Sequence, residues 1–177
     1  MDDRERVREQ VLARIRDVPD FPKPGVVFKD ITPLLADHAA FSASVRALTA
    51  MVPDDVDVVA AVEARGFVFG APVALALGAG LVPVRKVGKL PGTTTRASYE
   101  LEYGTAEIEV VDDAFSPGQR VVVLDDVLAT GGTAAATCEL VEQLGADVVA
   151  VRFLLELSFL SGREKLVGRD VDSLAIL

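Results

Sequence analysis

Residues 121 to 133, VVVLDDVLATGGT, constrain this chain more than any other stretch. Val121 to Leu124 form a short apolar run suited to a buried strand, and Ala134 to Leu144 repeat with helical period. Between them lie two acids and a loop of small residues. Such a loop can bind an anion, because helix-start amides point positive partial charge outward and Gly131 and Gly132 let backbone approach without Cβ interference. Asp125 and Asp126, at the carboxyl end of the run, are acceptors for a pair of hydroxyls, as an acid on ribose is in dinucleotide-binding folds. Acids for a sugar and amides for its phosphate point to a ribose 5-phosphate. The competing reading is a plain strand, turn and helix start, since Asp and Gly are common wherever chains turn. Two other phosphate motifs are excluded: no Lys follows the glycines as in a P-loop, and the spacing is not GxGxxG.

The alternation of apolar strand and helical pattern recurs along the chain. Val56 to Val62, a helix from Phe67 to Leu77, Leu81 to Lys86, Arg120 to Leu124, a helix from Gly132, and Val148 to Leu155 predict an α/β fold with a central, mostly parallel sheet flanked by helices. Ligands in such sheets bind beyond the carboxyl ends of strands, where Asp125, Asp126 and Arg65 fall. Toward the N-terminus, Val7, Val11, Leu12, Ile15 and Val18 recur at helical spacing and predict an amphipathic helix to about Arg16. Pro19, Pro22 and Pro24 then force extended chain that carries Phe21 and Phe28. A further helix is expected over Ala39 to Met51. Lys86 to Glu107 is polar, rich in Gly and Thr, and without helical period, so it reads as a mobile excursion. A hairpin is the alternative, because Tyr99, Leu101 and Tyr103 alternate with Glu100 and Glu102.

Composition narrows the function. A chain of 177 residues suits one domain, and a net charge of −9 with only 18 basic residues leaves no broad surface for nucleic acid. Any polyanionic substrate must be met by local groups. Cys138, the single cysteine, permits no intramolecular disulfide or zinc cluster and sits on a helical repeat, which predicts packing. His38 reads as a surface or capping residue. The charged N-terminus lacks an apolar signal region, so a cytoplasmic setting is expected. Phe67 to Val84 carries no charge, but Pro72, Gly78, Gly80 and Pro83 divide it into a core helix and a strand, and no membrane association is expected.

Five blocks, FPKPGVVFKDITPLL (21–35), EARGFVFG (63–70), RKVGKLPG (85–92), SYELEYG (98–104) and VVVLDDVLATGGT (121–133), with GREKL (162–166) as a smaller sixth, resemble the adenine-specific members of the type I phosphoribosyltransferases from about Phe21 to Leu166. The resemblance implies a single phosphoribosyltransferase domain over residues 1–177, with a small N-terminal hood at roughly 1–35 and a flexible lid loop at roughly 87–106. It implies transfer of 5-phosphoribosyl from phosphoribosyl diphosphate (PRPP) to adenine N9, giving AMP and pyrophosphate. Asp125 and Asp126 would take the ribose hydroxyls, and Ala129, Thr130, Gly131, Gly132 and Thr133 would cradle the 5-phosphate. Arg65, Arg85, Lys86 and Lys89 would meet the pyrophosphate, with a cis peptide at Ala64–Arg65. Val27, Phe28 and Lys29 would hold adenine, the ring by Phe28 and the edge by backbone. Glu102 and Tyr103 would act with Arg65 in catalysis. Mg²⁺ would be held mainly by PRPP oxygens and water, with no dedicated protein ligands, and the partner would be a second copy in a homodimer. Ala61 and Val87 depart from the family's usual glycine and occasional basic residue. Hypoxanthine, guanine or xanthine as the base, or a PRPP-sensing regulator without turnover, are the other functions to separate.

Overall fold

The computed structural model describes residues 3–100 and 104–177, in two compact units, Met1–Ala47 and Leu48–Leu177. Glu102 and Tyr103 therefore lie outside the described residues. The first unit holds α1 (Asp3–Leu12), β1 (Arg16–Pro19), β2 (Val27–Asp30), α2 (Thr32–Ala36) and most of α3 (His38–Ala50). Val7 and Val11, one turn apart, form the buried stripe of α1. The helix ends short of Arg16 because Arg16 is taken up in a ribbon. β1 and β2 pair antiparallel, with Arg16 opposite Asp30 and Pro19 opposite Val27. Arg16 Nη2 meets Asp30 Oδ2 at 2.5 Å, and Lys29 Nζ meets Asp17 Oδ1 at 2.7 Å, so charges close the ribbon that prolines only made extended.

Two acids start the helices that follow. The Thr32 N–H donates to Asp30 Oδ1 at 2.8 Å, and the Ala40 N–H donates to Asp37 Oδ1 at 3.0 Å, which satisfies amides that have no partner inside the helix. Hydrogen bonds from Thr32, then Arg16, lower the Asp30 carboxyl to about 2. His38, the first residue of α3, is exposed.

The second unit contains β3 (Val58–Val62), α4 (Arg65–Leu77), β4 (Gly80–Lys86), β5 (Thr94–Glu100), β6 (Thr105–Val111), β7 (Arg120–Leu128), α5 (Gly132–Gln143), β8 (Asp147–Glu156) and β9 (Val171–Ile176). They form one seven-stranded sheet in the order β5-β6-β4-β3-β7-β8-β9. β4, β3, β7, β8 and β9 run parallel, while β6 joins β4 antiparallel and β5 joins β6. The chain leaves β3 toward β4 and leaves β7 toward β8, so strand order reverses between β3 and β7. Right-handed crossovers in opposite directions place α4 and α5 on opposite faces and open a crevice beyond the two strand ends.

The mostly parallel sheet matches the expected fold class. The polar stretch after Lys86 takes the hairpin form over its described residues, with Tyr99 opposite Ala106 and Glu100 opposite Thr105. β9 is an element that periodicity did not indicate; its Leu174 and Ala175 are buried at the sheet edge. Cys138 lies in the core with no exposed surface, and burial pushes its thiol up to about 11, which suits packing and not reactivity. Among the described residues, no helix is long and apolar enough to cross a membrane.

α4 approaches β3 closely enough that side chains limit it. A Cβ on Gly70 would lie 2.5 Å from the Cβ of Ala61, so the two positions have room for one methyl. The Ala61 methyl is accommodated by the missing side chain of Gly70. Gly70→Ala is expected to destabilise the protein by about 1–3 kcal/mol, and adding Ala61→Gly to restore most of it, as urea unfolding will report. Independent, additive losses would show that the contact does not limit packing.

Candidate active site

β7 does not stop at its acids. Asp125, Val127 and Leu128 keep pairing with Phe153, Leu155 and Glu156 of β8, so the strand carries both carboxylates before it releases the chain. Alternation along a strand then sends neighbouring side chains to opposite faces. Asp125 lines an open cavity together with Ala129, Thr130, Gly131, Thr133 and Phe153. Asp126 is only 4 % exposed and meets Arg65, Nε to Oδ2, at 2.8 Å. The structure thus brings Asp125 and the glycine loop into one space and turns Asp126 toward the start of α4.

The two acids are electrostatically tied. Burial, followed by the charge of Asp126, pushes the Asp125 carboxyl well above its usual range, although its Oδ1 accepts the Asp126 N–H at 2.8 Å. Burial also raises Asp126, opposed chiefly by Arg65.

Gly131, at φ 78°, is the residue before α5, and α5 has no side-chain cap among the described residues. Its first-turn amides are therefore available to an external anion. The loop is shaped from outside its own motif. A Cβ on Gly131 would lie 2.2 Å from the Gly162 carbonyl oxygen, and one on Gly162 would lie 2.2 Å from the Ala129 carbonyl oxygen. The backbone of GREKL is pressed against the glycine loop. Glu156 holds it there: Arg163 Nε and Nη2 donate to its two oxygens at 2.7 Å each, and the Ser173 hydroxyl donates at 2.8 Å. GREKL was visible as a block, but nothing in it signals that Gly162 supports a loop far upstream.

On the other side of the crevice, Arg65 opens α4, and Gly66 lets the helix start abut β7. A Cβ there would lie 2.9 Å from Asp125 Oδ1. The non-proline cis peptide is Glu63–Ala64, one bond before the expected Ala64–Arg65. Arg65 already belongs to a helix, whose peptides are trans. Glu63 is a residue the motif reading passed over. Its Oε2 accepts Arg85 Nε at 3.2 Å and the Lys86 N–H at 3.0 Å, while Arg85 Nη1 donates to the Lys89 carbonyl at 3.2 Å. Burial would raise the Glu63 carboxyl, but Lys86 and Arg85 outweigh it and hold it below the ordinary range. Arg85 is thus built into the scaffold, whereas Lys86 and Lys89 are exposed. Arg85, Lys86 and Lys89 do not line the cavity that Asp125 shares with the loop.

Within the N-terminal ribbon, Phe28 is partly exposed and packs edge-on to Phe21, with ring centroids 5.1 Å apart and planes at 76°. Val27 is 48 % exposed.

An acid-bearing strand that runs into an uncapped glycine loop at the point of strand reversal defines an α/β protein built to hold a sugar phosphate. The chain belongs to the phosphoribosyl transferase domain family, which matches residues 31–165. It is similar to the adenine phosphoribosyltransferase of a Nocardioides species, with 62 % identity over 89 % of this chain and 88 % of that one. Among solved structures, it is similar to adenine phosphoribosyltransferase from Thermoanaerobacter pseudethanolicus, with a TM-score of 0.93, 54 % identity, and coverage of 96 % of this chain and 99 % of that chain. It also resembles the Saccharomyces cerevisiae enzyme in complex with an imino-altritol bisphosphate and adenine, with a TM-score of 0.89, 39 % identity, and coverage of 96 % and 99 %.

The raised Asp125 carboxyl sets a pH test. A group whose native pKa lies above its unfolded value adds stability while protonated and loses it as pH rises from the unfolded value through the native one. Asp125→Asn keeps the oxygen that accepts the Asp126 N–H but carries no charge. Its Tm is expected to match the parent near pH 4 and to exceed it by about 3 °C or more at pH 8. A constant difference across that range would remove the electrostatic origin.

Proposed function

We propose that the chain is an adenine phosphoribosyltransferase of purine salvage, transferring 5-phosphoribosyl from PRPP to adenine N9 to give AMP and pyrophosphate. The observation that carries this reading is the shared cavity of Asp125 and the uncapped Ala129–Thr133 loop. It holds a hydroxyl acceptor and an anion cradle side by side, in a chain 62 % identical to an adenine phosphoribosyltransferase.

Substitution at the anomeric carbon passes through an oxocarbenium-like state, so the protein must fix the ribose, stabilise the leaving diphosphate and keep water out. Asp125 accepts ribose hydroxyls, and Asp126 contributes through its junction with Arg65. Loop amides and the hydroxyls of Thr130 and Thr133 hold the 5-phosphate. Arg65, Lys86 and Lys89 meet the diphosphate, with Arg85 anchoring the segment that bears them. Phe28 stacks on adenine. Val27 and Lys29, two apart on a two-stranded ribbon, direct equivalent backbone groups to the same side, an arrangement suited to reading the edge of a base. Glu102 and Tyr103 act from the lid on the base and its proton.

Asp125 and Asp126 are hard oxygen donors, and no group of three or more His, Cys, Asp or Glu is assembled among the described residues. That donor set fits Mg²⁺ held largely by substrate oxygens and water. When bound, Mg²⁺ supplies charge neutralisation at the diphosphate. A cytoplasmic homodimer follows from the family resemblance of the sequence blocks alone.

A panel of adenine, hypoxanthine, guanine and xanthine with PRPP and Mg²⁺ tests the assignment, and AMP from adenine is the expected product. Turnover of another base without AMP would overturn the specificity, and no turnover of any base would leave a PRPP-binding regulator. Phe28→Ala is expected to raise KM for adenine about tenfold with KM for PRPP within twofold, and Glu102→Ala to lower kcat far more than adenine binding. Equal loss of both substrates in Phe28→Ala would make that ring structural.

A further inference from the structure

Glu109 belongs to none of the recognised blocks, yet at 1 % exposure it is the least exposed carboxylate among the described residues. It stands on β6 opposite Arg85 of β4 and Arg96 of β5. Its Oε1 accepts three consecutive backbone N–H groups, Gly88 at 2.8 Å, Lys89 at 3.1 Å and Leu90 at 3.2 Å. Its Oε2 accepts the Thr94 hydroxyl at 2.9 Å and faces Arg96 Nε at 3.4 Å. Successive amides converging on one oxygen form the kind of concavity that backbone makes for an anion. Here the anion is the protein's own side chain.

The loop is held from its other face as well, because Arg85 donates to the Lys89 carbonyl and is itself gripped by Glu63. Backbone on both sides of Lys89 is thereby fixed while its side chain stays exposed. Burial would raise the Glu109 carboxyl, but Thr94 and the three amides outweigh it and hold it below the ordinary range.

We propose that Glu109 is a positioning residue for the diphosphate: it fixes the Gly88–Leu90 turn so that the Lys89 ammonium is presented to the leaving group, and ties that turn to the base of the β5–β6 hairpin. This rests on the assignment of Lys89 to the diphosphate side. The carboxylate need not touch substrate. Its effect passes through the turn.

Glu109→Gln keeps the shape and removes the charge that strengthens the three amide bonds. It is expected to raise KM for PRPP and the inhibition constant of pyrophosphate about fivefold, with KM for adenine and the affinity for AMP within twofold. Amide hydrogen exchange at Gly88, Lys89 and Leu90 should accelerate in the same protein. Combined with Lys89→Ala, it should add little further loss of pyrophosphate affinity, because both act through one group. Unchanged pyrophosphate affinity, equal weakening of AMP and pyrophosphate, or full additivity with Lys89→Ala would overturn the proposal. Should Glu109→Gln fail to fold, Thr94→Val removes one restraint on the same carboxylate, and a smaller rise of about twofold in the pyrophosphate constant is expected; no rise would again overturn it. Unchanged pyrophosphate affinity in Lys89→Ala alone would sink the underlying assignment of Lys89, and that control is read without touching Glu109.

Discussion

Much of the structure depends on the pairing of Arg65 with Asp126 across the gap between α4 and β7. An acid this deeply buried at a strand end needs a cation, and Arg65 supplies it from the first residue of a helix that arrives on the opposite side of the strand reversal. The pair joins the two crossover units that bound the crevice. It also leaves Asp125 as the acid facing the cavity, with its charge opposed by its neighbour. Gly66 follows from the same requirement, because the helix start must come within contact distance of Asp125 before Arg65 can reach across. The alternation of strand and helix thus produces a site as well as a sheet.

Much of this was legible in the chain itself. The apolar runs at Val58–Val62 and Val121–Leu124 are fully buried strands in parallel register, which is why they lack the polar alternation of a half-exposed sheet. The acids and glycines of VVVLDDVLATGGT stand out by residue type alone, and the structure sets Asp125 in one cleft with Ala129, Thr130, Gly131 and Thr133. What escaped was set by partners distant in sequence. Arg16 extends a helical pattern but is claimed by Asp30 in a ribbon. Glu63 and Glu109 look like ordinary charges, because the amides they bind lie about twenty residues away. The role of Gly162 is an absence of side chain opposite another glycine, and no local pattern encodes that.

Two glycine contacts illustrate how backbone spacing sets function. Gly70 and Ala61 leave room for one methyl between helix and sheet, while Gly131 and Gly162 leave room for none between the Ala129–Thr133 loop and GREKL. In the first case the constraint is on packing and can be shared between positions. In the second, carbonyl oxygens stand where side chains would begin, and the curvature of the loop is fixed by main chain on both sides.

Glu109 sitting in a nest of backbone amides has a thermodynamic consequence. A turn with its amides already satisfied loses little freedom when a charged ligand arrives, because its ordering was completed during folding. The diphosphate would then meet a rigid frame bearing one movable ammonium, so the entropy lost on association falls on the four-carbon stem of Lys89 and scarcely on the main chain. Such a frame would favour the same grip in both directions of the reaction, on the diphosphate of PRPP as it departs and on pyrophosphate as it returns.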